Sequence, residues 1–80
     1  MALRDLMAVL RFLAKNPRLN GNRLPAAEMQ INEYIRSLQR SVRQSTLTIL
    51  RDAFTAEAEA RPEESEFWET VEEYVSTLKP

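Results

Sequence analysis

The sequence predicts an all-α protein of three helices, the second of them much longer than the other two. Its 80 residues include one glycine and four prolines, and the prolines lie where one helix would end or the next begin. Apolar residues recur at spacings of three and four along most of the chain, which is the period of a helix that buries one face. A chain of this length corresponds to a single domain, residues 1–80, with a small hydrophobic core.

The first helix is predicted over residues 2–15. Its apolar positions share one face: Leu3, Leu6, Met7, Leu10 and Leu13. Asn16 precedes Pro17, and a residue before proline is disfavoured in the helical conformation, so the helix ends there. Residues 16–24 then read as a polar loop, with a turn at Asn20 and Gly21, two residue types that tolerate positive φ.

The second helix is predicted over residues 25–60. Pro25 suits a first helical turn, and nothing interrupts the pattern before Pro62. Residues spaced alternately by four and three form a heptad-like seam, with one serine among the apolar positions: Ile31, Ile35, Leu38, Val42, Ser45, Ile49, Ala53, Ala56 and Ala60. Two short helices would leave part of this seam uncovered. The sequence therefore predicts that a second copy covers it in a symmetric dimer.

The third helix is predicted over residues 62–78 and is strongly acidic. Glu63 and Glu64 lie in its first turn, where the helix dipole favours negative charge. One face is apolar: Phe67, Val71, Tyr74, Val75 and Leu78. Trp68 lies beside this face, and we expect it at the edge with its indole N–H exposed.

Charge is divided unequally along the chain. Residues 1–51 contain nine arginines and lysines against three acidic residues, a net charge of +6. Residues 52–80 contain two basic residues against nine acidic ones, a net charge of −7. Such asymmetry indicates an anionic partner for the basic part of the chain.

Four arginines of the second helix share a face opposite the seam, over about 22 Å of helix axis. They are joined there by polar side chains, giving the candidate binding row: Arg36, Gln39, Arg40, Arg43, Gln44, Thr48 and Arg51. A solvated outer face that pairs with the acidic third helix is one interpretation. The other is phosphate binding, because arginine forms forked contacts with phosphate and like charges at i,i+4 otherwise destabilise a helix. A row without interleaved aromatic residues favours a duplex over a single strand.

The order of a first helix, a long basic helix and a short helix that begins with Arg61-Pro62-Glu63-Glu64 resembles the small RNA-silencing suppressors of nodaviruses. Leu47-Thr48-Ile49, followed by Arg51, is similar to a stretch of that family's second helix. The resemblance implies a viral protein that dimerises into an antiparallel helical bundle. Such a protein binds double-stranded RNA independently of sequence and shields it in the host cytoplasm. It also implies that the candidate binding row contacts phosphate and sugar oxygens.

Composition excludes several classes of function. The chain has neither cysteine nor histidine, which removes thiolate chemistry, disulfides and the commonest general base and metal ligand. The sequence predicts a cytoplasmic protein without enzymatic activity, cofactor, metal or membrane-spanning segment. The alternative to RNA binding is a small protein-interaction module, such as an inhibitor, anti-activator or assembly chaperone. Its partner would dock on the apolar seam or on the edge formed by Phe67, Trp68 and Val71.

Overall fold

The structure, a computed structural model, describes residues 2–16 and 23–79. The all-helical class is confirmed, and the described residues contain no strand. There are four α-helices instead of the predicted three: α1 (Leu3–Ala14), α2 (Arg23–Arg36), α3 (Arg40–Ala60) and α4 (Ser65–Thr77), with a 3₁₀ turn at Pro62–Glu64. The chain divides into two compact units, Met1–Ser37 and Leu38–Pro80, and each unit contains two of the helices.

In the first unit, α1 packs against α2. Their buried side chains are Leu6, Met7, Leu10, Leu13 and Ala14 from α1, and Ala27, Ile31, Tyr34 and Ile35 from α2. Arg23 Nη1 donates a hydrogen bond of 3.3 Å to the Ala14 carbonyl, one of the groups that the end of a helix leaves without an intrahelical partner. Helix α2 begins two residues before the predicted Pro25. The predicted turn at Asn20 and Gly21 lies outside the described residues.

The prediction of one helix over residues 25–60 is wrong, because the chain leaves the helical conformation between α2 and α3. The Ser37 hydroxyl donates to the Tyr34 carbonyl at 2.6 Å, and its N–H is shared between the Glu33 and Tyr34 carbonyls. Serine side chains compete in this way with the regular helical bonds of the backbone. Gln39 is extended, with φ −63° and ψ 146°, and a new helix begins after it.

Arg43 stabilises the start of the second unit. Its Nε donates a hydrogen bond of 3.1 Å to the carbonyl of Leu38, which lies outside α3. The Val42 N–H bonds the Gln39 carbonyl at 3.1 Å and closes the first turn of α3. One of the arginines assigned to the binding row is therefore engaged by the backbone at the break that the sequence did not predict.

In the second unit, α3 and α4 form a helical hairpin joined by the 3₁₀ turn. Arg61 follows α3, and its guanidinium pairs with Glu57, the one buried charged side chain among the described residues. The core combines Leu47, Leu50 and Phe54 from α3 with Phe67, Trp68, Val71 and Val75 from α4. These residues give the unit an apolar core that is centred on aromatic rings.

Trp68 is fully buried, so its predicted position at an exposed edge is wrong. Its ring centroid lies 5.8 Å from that of Phe54 and 5.2 Å from that of Phe67, the latter in an edge-to-face arrangement. The indole N–H donates to Glu64 Oε1 at 3.1 Å. Because the 3₁₀ turn places this carboxylate one helical turn before Trp68, the indole can be buried without losing a hydrogen bond.

Candidate functional site

Helix α3 presents an apolar face that its own unit leaves exposed. We call it the α3 apolar face, and it consists of Val42, Ser45, Ile49, Ala53 and Ala56. Val42 is 41% exposed and Ile49 is 51% exposed, while Ala53 is half-buried. Large aliphatic side chains on the outside of a helix that already buries another face mark a surface available for contact.

This face stays exposed because α4 covers a different side of α3. On a helix with about 100° per residue, the buried positions Leu47, Leu50 and Phe54 centre roughly 120° away from Val42 and Ile49. The bulky residues face the hairpin core, and the smaller ones remain at the surface. The predicted seam is therefore not one continuous face, since Ile31 and Ile35 belong to the core of the first unit.

A second, polar face of α3 contains four of the seven residues predicted to bind an anion. Arg40, Gln44, Thr48 and Arg51 are all exposed and fall within an arc of about 80°. The other three do not join them. Arg36 ends α2 in the first unit, Gln39 lies in the break, and Arg43 turns towards the Leu38 carbonyl.

The predicted row is also interrupted within α3. Leu47 lies between Arg43 and Arg51 along the helix, and it is buried in the hairpin core. The Thr48 hydroxyl donates to the Gln44 carbonyl at 3.3 Å, so its proton is already engaged. What remains of the row is a narrower strip with one arginine at each end.

One acidic side chain of α4, that of Glu72, approaches one end of this strip. Arg51 Nε lies 3.8 Å from Glu72 Oε1, and both side chains are partly exposed. Since exposed ion pairs of this kind are weak, the pairing leaves Arg51 able to exchange partners. The unit as a whole has five basic and nine acidic residues, a net charge of −4, whereas residues 1–37 carry six against three, a net charge of +3.

A shallow groove of about 360 Å³ lies between α3 and α4, beside the polar strip. Its lining includes Phe54, Ala58, Glu59, Trp68, Glu69 and Glu72. Of the three carboxylates at this groove, Glu72 is the one that pairs with Arg51. The sequence could not show this arrangement, because it arises only when α4 folds back along α3.

No protein-family profile, curated protein or solved structure matches this chain. Within the described ranges, no helix has the length and apolar content that crossing a membrane requires. In those same ranges, acidic side chains nowhere gather in groups of three or more that could hold a metal ion.

Proposed function

We propose that this chain is a small helical protein-interaction module, and that the α3 apolar face is its docking surface. The observation that carries the proposal is the exposure of Val42 and Ile49 on a helix that already has a complete core on another side. The α3 apolar face keeps its heptad spacing, with Val42, Ile49 and Ala56 seven residues apart.

The chemistry of this face suits an apolar helix of a partner protein. Burial of apolar surface is favourable by about 25 cal/mol per Å², so a partner that covers Val42 and Ile49 gains affinity from both. Ala53 and Ala56 add little area, but they let a partner helix approach closely. Residues at i and i+7 are the usual anchors when one helix docks on another.

Photo-crosslinking at Ile49 tests this function. We expect benzoylphenylalanine at position 49, in the full chain expressed in cells, to form one protein adduct of discrete mass. The adduct should disappear when Val42→Asp is added, because the charge lies on the same face two helical turns away. It should persist with Gln44→Asp, which places the same charge on an exposed position on the opposite side of α3.

A crosslinker at Thr55 provides the matched control, since Thr55 is exposed on another side of α3. Position 55 should give no discrete adduct. Equal adducts at positions 49 and 55, or an adduct at 49 that is insensitive to Val42→Asp, would contradict a docking role for the α3 apolar face.

A second candidate function is the sequence-independent binding of double-stranded RNA that the resemblance to nodaviral silencing suppressors implies. The observation that favours it is the exposed strip of Arg40, Gln44, Thr48 and Arg51 on one side of α3. Guanidinium and amide groups donate to the phosphates of an A-form duplex, and the Thr48 hydroxyl oxygen can accept a hydrogen bond from a 2′-hydroxyl. The net charge of −4 on the same unit works against this function, and for that reason it ranks second.

Fluorescence anisotropy with a labelled RNA duplex of about 20 base pairs tests the second candidate. If the strip binds RNA, Arg40→Glu combined with Arg51→Glu should abolish binding, and Glu72→Gln should strengthen it by removing the competing carboxylate. Affinity should fall steeply as salt increases. Failure to bind the duplex at near-physiological salt excludes this function, and equal binding of single-stranded RNA or a DNA duplex excludes its duplex-RNA specificity.

A further inference from the structure

We propose that the groove between α3 and α4 binds a linear aliphatic polyamine, with one ammonium group at each of Glu59, Glu69 and Glu72. On α3, the groove and the α3 apolar face point in directions roughly 150° apart. This inference therefore goes beyond the proposed function, and it does not depend on a docked protein or on RNA.

The groove combines an apolar bottom with charged walls. Phe54 and Trp68 close it from below, and Ala58 adds a methyl group on the α3 side. Its volume of about 360 Å³ lies at the lower end of the range for small-molecule sites, which are mostly apolar with a few well-placed polar groups. Such a groove suits a slender alkyl chain whose charged groups reach the walls.

The three carboxylates follow one another along the groove. The ion pair between Arg51 and Glu72 aligns these residues across the hairpin, so Glu59, eight residues after Arg51, lies near the level of Glu64. With a rise of about 1.5 Å per residue, Glu69 lies roughly 7–8 Å and Glu72 roughly 12 Å from that level along the axis. Amino groups separated by three or four methylenes are about 5–6 Å apart, and flexible glutamate side chains can cover the remaining difference.

The charges of the groove favour an extended cation. Within the described part of the chain, neither Glu59 nor Glu69 has a basic partner. Glu72 pairs with Arg51 through a partly exposed contact of 3.8 Å, a weak pair that a terminal ammonium group can replace. Acidic side chains of the described residues do not gather in threes that could hold one metal ion, so charge spread along a chain fits better than a point charge.

Isothermal titration calorimetry with spermidine, a linear cation with three ammonium groups, tests the site in the full chain at near-physiological salt. We expect one bound molecule per chain. Hexaamminecobalt(III) is the matched control, because it carries the same charge of +3 and the same kind of N–H donor on a compact ion. It should bind about tenfold more weakly or less, since it cannot reach all three carboxylates at once.

Glu59→Gln combined with Glu69→Gln identifies the binding residues. We expect the affinity for spermidine to fall by about tenfold, because two of the three ion pairs are lost. Glu66→Gln combined with Glu73→Gln removes the same charge from exposed positions of α4 that do not line the groove. Its affinity should stay within about twofold of that of the unmodified chain. Far-UV circular dichroism should show the same helical content in both double variants.

Three results would overturn the polyamine site. They are the absence of spermidine binding, equal affinity for hexaamminecobalt(III), and equal weakening by the two double variants. The last two would show attraction to the overall negative charge of the unit only. None of them bears on the docking function, because the crosslink at Ile49 reports on another side of α3. Loss of that crosslink would in turn leave spermidine binding unchanged.

Discussion

Trp68→Ala is expected to destabilise the unit of residues 38–80 by about 3–5 kcal/mol, the range observed for large-to-small substitutions of buried aromatic residues. Trp68 has no exposed surface, and it contacts the rings of both Phe54 and Phe67. A core of this size supplies only a few kcal/mol of net stability. We therefore expect the hairpin to unfold largely, which far-UV circular dichroism in a urea titration would measure.

Two further variants separate packing from hydrogen bonding. Trp68→Phe retains an aromatic ring but loses the donor to Glu64, so we expect a smaller cost of about 1–2 kcal/mol. Phe12→Ala is the matched control for an exposed aromatic residue, since Phe12 is 61% exposed, and its cost should remain within about 0.5 kcal/mol. Equal costs for Trp68→Ala and Phe12→Ala would show that Trp68 is not a core residue.

Leu50→Glu is expected to have an even larger effect, above about 4 kcal/mol, because it places an unpaired carboxylate in an apolar core. Leu50 has no exposed surface, and it belongs to the α3 side that α4 covers. The introduced carboxylate must either remain charged without a partner, become protonated at a cost, or force the helices apart. Each outcome lowers the free energy of unfolding, so the variant should show little helical signal from α3 and α4 at neutral pH.

Local signals in the sequence were sufficient to place α1 and α4. Both helices show a clear three- and four-residue apolar spacing, and each is bounded by a proline signal in the sequence, at Pro17 and Pro62 respectively. The break between α2 and α3 has neither a proline nor a glycine. At the break, the Ser37 hydroxyl and the Arg43 side chain bond the backbone, and such bonds could not be read from residue spacing.

The buried face of α3 could have been identified from side-chain size. Helix α3 offers two apolar faces, and a binary division into apolar and polar residues favours the longer heptad-like seam that includes Val42 and Ile49. Leu47, Leu50 and Phe54 have far more apolar area to bury than the alanines of that seam. Comparing the two faces of α3 by their total apolar side-chain area therefore predicts the face that the structure buries.

Anion binding by the candidate row stays a prediction, and only part of the row shares one face of α3. Arg40, Gln44, Thr48 and Arg51 do share an exposed side of α3, as helical geometry requires. Arg36 is separated from them along the chain by the break between α2 and α3. Glu72, which lies on α4 and 21 residues after Arg51 in the sequence, pairs with Arg51. Contacts between distant residues of this kind depend on how α4 folds back, which residue spacing within one helix does not reveal.

The central claim is that α3 turns Leu50 into its core and leaves Ile49 at the surface for docking. Urea titration of Ile49→Glu and Leu50→Glu, two adjacent leucine-sized residues given the same charge, tests it most directly. Low protein concentration keeps association from contributing to stability. We expect Ile49→Glu to unfold within about 0.5 kcal/mol of the unmodified chain, while Leu50→Glu loses its helical structure. Unfolding of the hairpin by Ile49→Glu, or tolerance of Leu50→Glu, would contradict the account.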